Sequence, residues 1–180
     1  MKALRQEITI PSEVTIVIEP PMIRVKGVQG EIERVLHLPQ IDITQKDDKL
    51  ILSAKKQNKT IKMYMNTYKA HILNMIHGVT EQYTYKLKIC SGHFPMHVSI
   101  EHKQLVVKNF LGEKIPRKAK LLDDVEVKLD NDFINLKSKN KESVGIVASR
   151  IEQATRITGK DRRRFQDGIF IVEKAGKKIK

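Results

Sequence analysis

The sequence predicts an α+β protein: two similar domains from an internal duplication, each an antiparallel sheet with one packed helix. Three observations lead there. The stretch from Val14 to Gly27 aligns without a gap on the stretch from Val125 to Ser138. Each copy is followed by a helical pattern of apolar residues. The chain has 180 residues, 40% of them hydrophobic, enough for two cores of modest size.

Each copy of the repeat reads as strand, tight turn and strand. Val14, Ile16 and Ile18 fall on Val125, Val127 and Leu129. The turns are Pro20-Pro21 and Asn131-Asp132, and Ile23 and Val25 then fall on Ile134 and Leu136. In the second copy Glu126, Lys128 and Asp130 take the solvent face, as a half-buried strand requires. The turn after Lys26 holds Gly27 and Gly30 and opens no helix, so it is no phosphate loop. Ile41 and Ile43, then Leu50 and Leu52, predict an inserted hairpin turned at residues 46–49. A helix follows, with Ile61, Met65, Tyr68, Ile72, Met75 and Ile76 as its stripe. Asn58 suits its N-cap, and Gly78 suits a left-handed C-terminal position.

Residues 83–89 alternate strongly and should open the second half as a strand. Val98 to Ile100 and Leu105 to Val107 predict a hairpin around residues 101–104. The second helix carries Val144, Val147, Ile151 and Ala154, with Asn140 as N-cap, Glu142 near its positive start and Gly159 at its close. The domains are expected at residues 1–80 and 81–180. Without a Gly/Ser-rich linker between them, a short and fairly stiff junction is expected.

Composition excludes several classes. The single cysteine, Cys90, permits neither an intrachain disulfide nor a thiolate zinc cage, and a buried structural thiol is expected. No apolar run approaches the roughly 18 residues of a membrane span, and residues 1–7 lack the apolar core of a secretory signal. A soluble cytoplasmic protein is expected. Lys and Arg number 34 against 21 Asp and Glu, a formal net charge of +13, which points to a polyanionic partner.

That charge is unevenly placed. Between Arg156 and Lys180 lie nine basic and three acidic residues. Lys160, Arg162, Arg163 and Arg164 occupy a loop after the second helix, where guanidinium forks suit phosphate oxygens. Lys174, Lys177, Lys178 and Lys180 form a tail without a core pattern, read as an extension that orders on a partner. Smaller clusters are Lys55, Lys56, Lys59 and Lys62, and Lys114, Arg117, Lys118 and Lys120 around Pro116. Aromatic residues are only 5% of the chain, so a single-strand stacking platform is disfavoured, and backbone recognition of folded RNA fits better.

Catalytic and metal-binding patterns are missing. His93 and His97 have the spacing of a helical zinc pair, but Pro95 lies between them and their neighbours read as strands. Cys90 has no assembled base, and no carboxylate pair stands in a distinctive frame. No enzyme, cofactor or small-molecule substrate is expected.

Five stretches carry a resemblance. In order they are residues 23–27 (IRVKG), 74–80 (NMIHGVT), 93–97 (HFPMH), 109–113 (NFLGE) and 165–170 (FQDGIF). Together they resemble the large-subunit ribosomal protein family L-six, called L-nine in eukaryotes, over nearly the whole chain. Residues 109–113 and 165–170 look like its archaeal and eukaryotic branch. Val28 departs from the family's usual Gly-Pro-x-Gly turn. The resemblance implies a duplicated fold and a structural constituent of the large ribosomal subunit, supporting translation. It implies contact with large-subunit rRNA near the stalk base and sarcin–ricin loop, beside other large-subunit proteins, with translational GTPases nearby. The implied rRNA-facing residues are Arg156, Lys160, Arg162, Arg163, Arg164, Lys174, Lys177, Lys178 and Lys180; charge alone adds Arg117, Lys118 and Lys120. The same charge pattern permits a different role, an RNA-binding regulatory module outside the ribosome.

Overall fold

A computed structural model describes residues 4–36, 40–46, 48–54 and 58–179. The chain divides into two compact units, at Gln82 and Tyr83. Both are α+β, with antiparallel sheets and one long helix.

The first unit has six strands: β1 (Leu4–Thr9), β2 (Thr15–Glu19), β3 (Met22–Gly27), β4 (Gly30–Val35), β5 (Asp42–Lys46) and β6 (Lys49–Ala54). They form two three-stranded sheets, ordered β1-β6-β5 and β2-β3-β4, where one sheet was expected. Helix α1 (Lys59–Thr80) packs on β1, β3, β4 and β6. Asn58 caps it, its side-chain oxygen accepting from the Ile61 N–H at 2.9 Å. The expected stripe faces inward and meets Ile16, Ile23, Val25, Leu50 and Leu52 in one core.

Gly78 departs from expectation. It is a buried helical residue, and α1 runs on to Thr80. The reason lies in the β3–β4 turn, whose Gln29 N–H donates to the Val79 carbonyl at 2.8 Å. That turn satisfies a terminal carbonyl that a left-handed glycine would otherwise serve. It reaches the helix because Gly27 has no side chain. A Cβ there would stand 2.8 Å from Val79 Cγ2 and 2.9 Å from the Val79 carbonyl oxygen.

The second unit opens with β7 (Tyr83–Cys90), followed by β8 (His97–Glu101), β9 (Gln104–Lys108), a short 3₁₀ turn at Phe110–Gly112 and β10 (Arg117–Lys120). Next come β11 (Glu126–Asp130), β12 (Phe133–Ser138), helix α2 (Lys141–Ala154), β13 (Gly168–Lys174) and β14 (Lys177–Lys178). One sheet is ordered β10-β9-β8 and the other β11-β12-β7-β13-β14. The hairpin β8–β9 turns on His102 and Lys103, both left-handed, which matches the twist of paired strands. Leu87, Ile134, Leu136, Val144, Val147, Ile151 and Ile169 make a second core.

The repeated hairpins are β2–β3 and β11–β12, with registers Ile18↔Ile23 and Leu129↔Ile134. Both units carry an insertion, not the first alone. In the first, β4 to β6 lie between hairpin and helix; in the second, β8 to β10 lie between β7 and the hairpin. The basic tail is also folded. Ala175 and Gly176 are left-handed and turn β13 into β14, and the Ile179 N–H donates to the Val172 carbonyl at 2.9 Å. Lys180 lies outside the described residues, as do Lys55 and Lys56.

Replacing Gly27 by Ala forces the turn and helix end apart. The expected cost is about 1–3 kcal/mol, the usual range for overpacking. Amide hydrogen exchange in β3, β4 and the last turn of α1 should read it as faster exchange.

Candidate nucleic-acid interface

The interface is built from the end of α2 onward. Asn140 caps the helix start, accepting from the Glu142 N–H at 3.0 Å. The helix stops at Ala154, and Gly159, expected to close it, lies in the following loop with φ +71°. Arg117 provides the closure. Its Nη1 donates to the carbonyls of Ala154 at 3.1 Å and Arg156 at 3.0 Å. Its Nε and Nη2 donate to the two Glu113 oxygens at 2.8 and 2.6 Å, and its guanidinium lies 4.2 Å from the Phe110 ring centroid. The guanidinium beside Glu113 holds that carboxyl below the usual range. A cation at the negative end of a helix is favourable by itself.

Arg117 therefore departs from its expected role. It works inside the unit, with its hydrogen-bonding capacity largely used. Strand alternation explains why: β10 turns Arg117 and Ala119 inward and Lys118 and Lys120 outward into solvent.

Thr155 fixes the return of the chain. Its buried hydroxyl donates to the Glu152 carbonyl at 3.3 Å and accepts from the Ile169 N–H at 2.9 Å. Between these points the arginine loop is a folded turn. The Asp161 carbonyl accepts from the N–H groups of Arg164 at 3.1 Å and Phe165 at 2.9 Å. Arg163 forks onto the Asp161 carboxylate, with Nη2 at 2.9 Å from Oδ2, although its side chain is 91% exposed. Arg156, Arg162 and Arg164 form no side-chain hydrogen bond or ion pair with any described residue. Lys160 sits over the Phe165 ring, 4.8 Å from its centroid.

Asp167 anchors this turn to the β7–β8 loop. Its side chain is only 2% exposed. The N–H groups of Gly92 and His93 donate to Oδ1, and His93 Nδ1 lies 2.6 Å from Oδ2. Burial pushes the Asp167 carboxyl up, but the bonds from His93 and Gly92 outweigh it and hold the group below the ordinary range. The His93 ring, so oriented, stacks on Phe165 with centroids 4.7 Å apart. His93 is thus a positioning group in a loop, and among the described residues no cluster of His, Cys, Asp or Glu could hold a metal ion. Nothing in the spacing of the sequence flags the pair, whose members are 74 positions apart.

The turn, the end of α2 and β13 enclose a cleft of about 870 Å³ lined by Arg156, Arg162, Arg163, Phe165, Gln166 and Phe170 among others. Cys90 lies half-buried in its wall, where a buried thiol was expected. The hairpin lysines stand apart from this cleft's lining. Lys174 and Lys177 are paired directly across β13 and β14, a like-charge pair that opposes folding, whereas Glu173 faces Lys178. Residues 83–180 hold 22 basic and 12 acidic side chains, and residues 1–82 hold 12 and 9.

A family model described as ribosomal protein L6 matches residues 94–168, which take in the end of the β7–β8 loop, Arg117, α2 and the arginine turn. The chain is also 44% identical to the large ribosomal subunit protein uL6 of Nanoarchaeum equitans, over 98% of this chain and 96% of that protein. Identity to the protein of the same name from Methanococcus vannielii is 42%, over 97% of this chain and 96% of that protein. The chain belongs to the uL6 family of ribosomal proteins. Membership in uL6 makes it a non-enzymatic, structural protein of the large subunit.

Two outcomes test the internal roles. Arg117→Met should lower stability by about 2 kcal/mol in denaturant unfolding, since two helix-end carbonyls and Glu113 lose their partner. Lys118→Met should leave stability within about 0.5 kcal/mol. For Asp167, whose folded pKa is depressed, the stabilisation is present above the ordinary aspartate range and is lost as pH falls through the folded value. Asp167→Asn should therefore cost about 2 kcal/mol at pH 7, and unfolding curves of variant and wild type should converge as pH falls below the ordinary aspartate range.

Proposed function

We propose that this protein braces large-subunit rRNA chiefly through its second unit, with Arg156, Arg162 and Arg164 as the principal phosphate contacts. Lys160, Arg163, Lys118, Lys120 and the hairpin lysines 174, 177 and 178 form the surrounding cationic field. One observation carries the reading: three guanidinium groups on the chain leaving α2 have no partner among the described residues, while the backbone beneath them is held by Asp161, Thr155 and Asp167. Planar forks on a fixed turn are pre-organised for phosphate oxygens, and little ordering entropy remains to oppose binding. Backbone contacts of this kind set position and orientation without reading sequence.

Neighbouring large-subunit proteins belong to the same proposal. So does a position near the stalk base and sarcin–ricin loop, with translational GTPases nearby, which rests on the family resemblance. The chemistry predicts steep salt dependence, because each phosphate neutralised by a cation releases condensed counterions.

The test is binding to in vitro transcribed large-subunit rRNA across a salt series, with Arg162, Arg163 and Arg164 all changed to Ala. Affinity should fall by at least about tenfold at moderate salt, and the slope against log salt should drop by about two. Wild-type affinity and slope in the triple variant would remove these residues from the contact. Sucrose-gradient sedimentation gives the complementary result: the chain should co-migrate with large subunits and leave them at high salt.

A further inference from the structure

We propose that the cleft beside the arginine turn takes the base of one unpaired rRNA nucleotide, stacked on Phe170 and held by its flanking phosphates to Arg156 and Arg162. This rests on the rRNA-binding reading above and adds a mode of contact to it. Low aromatic content argues against stacking in the chain as a whole, but the rings are not evenly spread. Phe165 and Phe170 both line this cleft, together with Arg156, Arg162 and Arg163.

The two rings have different parts. Phe165 is already covered, by the His93 ring at 4.7 Å and by the Lys160 ammonium at 4.8 Å. It is a wall. Phe170 is the open platform, 37% exposed, on a stretch of β13 that pairs with β7 alone. Its ring folds back over Gly168, where an added Cβ would stand 3.1 Å from Phe170 Cζ. Gly168 has φ +150°, a conformation suited to glycine, so both the backbone and the missing side chain keep the ring in place. A supported, partly exposed ring in the wall of a cationic cleft matches what an unstacked base requires.

Size and charge agree. About 870 Å³ falls within the range of clefts that enclose small organic groups. The acids in the lining are engaged elsewhere: Asp167 with Gly92 and His93, and Glu152 with the Ile171 N–H at 3.3 Å. The guanidiniums of Arg156 and Arg162 are left for phosphates. Gln153 and Gln166, also in the lining, offer their amide oxygens to base edges, their nitrogens donating to Ser149 Oγ at 3.3 Å and to the Arg163 carbonyl at 3.4 Å.

The experiment measures binding of wild type, Phe170→Leu and Phe170→Tyr to in vitro transcribed large-subunit rRNA across a salt series. Leu keeps an apolar side chain and removes the ring; Tyr keeps the ring. Phe170→Leu should bind about tenfold more weakly with an unchanged salt slope, and Phe170→Tyr should bind as wild type does. Phe170→Leu binding within twofold of wild type would overturn the base site while leaving the phosphate contacts intact. The smaller salt slope of the arginine variant is a separate result and reports on the phosphate contacts. A second measurement uses wild-type protein only, so it stands even if the Leu variant unfolds. Iodoacetamide should alkylate Cys90, the sole cysteine, at least tenfold more slowly when rRNA saturates the protein. An unchanged rate would mean an empty cleft and would overturn the proposal.

Discussion

The buried Asp167 carboxylate is the constraint on which the cationic face depends. It sits at the start of β13 and accepts hydrogen bonds from a loop 74 positions earlier. A carboxylate with so little solvent is tolerated only when its oxygens are met by donors, and here two backbone N–H groups and a ring nitrogen meet them. The consequence reaches further than the bond. Fixing the His93 ring fixes the Phe165 ring stacked on it, and Phe165 ends the turn that carries the arginines. Free guanidiniums thus stand on a backbone whose position is set by buried chemistry.

The basic residues divide by what their surroundings ask of them. Arg117 and Arg163 look alike in sequence to Arg156 and Arg164, each lying in a cluster of cations. The fold gives Arg117 two terminal carbonyls, a carboxylate and an aromatic face, and gives Arg163 the Asp161 carboxylate. An exposed ion pair such as Arg163–Asp161 contributes little to stability and holds a turn in shape at most. Arg156, Arg162 and Arg164 receive no such partner among the described residues. Like-charge pairing of Lys174 with Lys177 adds a small cost to the same unit. Net repulsion in a thin-cored domain is a cost that a polyanion removes on binding.

Much of this fold was legible because periodicity survives wherever a strand or helix has a fully apolar inner row. The repeated hairpins, the stripe of α1 and the β8–β9 hairpin meet that condition, β5 was legible through Ile43 beside β6, and both helix starts were marked by their caps, Asn58 and Asn140. Five strands, β1, β4, β10, β13 and β14, were not read from the sequence, and on β1 the inner row includes Gln6. On β4 the inner row contains Arg34, which meets His71 of α1, so charges occupy both faces. On β10 the only apolar residue is Ala119, and the stretch reads as a basic patch. β14 is two lysines, given register by the left-handed turn at Ala175 and Gly176. In the interface, charge identified the cations but not their division into inward and outward sets, because that depends on strand phase and on carbonyls distant in sequence. The aromatic floor at Phe170 was hidden for a related reason: a low overall count says nothing about where rings collect.

Among the described residues, the two helix ends show why the second unit carries an exposed cationic loop after its helix. In the first unit, backbone closes the helix: the β3–β4 turn reaches Val79 across side-chain-free Gly27, and α1 runs two residues past Gly78 before β7 begins. In the second unit, a side chain closes it. Arg117 reaches from β10 to the carbonyl of Ala154, the last residue of α2, and to that of Arg156 beyond it, so no turn from a neighbouring strand is needed there. The chain after Ala154 is then free to leave the helix, and it must still return to pair β13 with β7. Thirteen residues, 155–167, bridge that gap, and they hold Arg156, Lys160, Arg162, Arg163 and Arg164. The insertion β8–β10, which brings Arg117, is therefore what permits the loop: an arginine turned inward closes the helix so that three others can face outward.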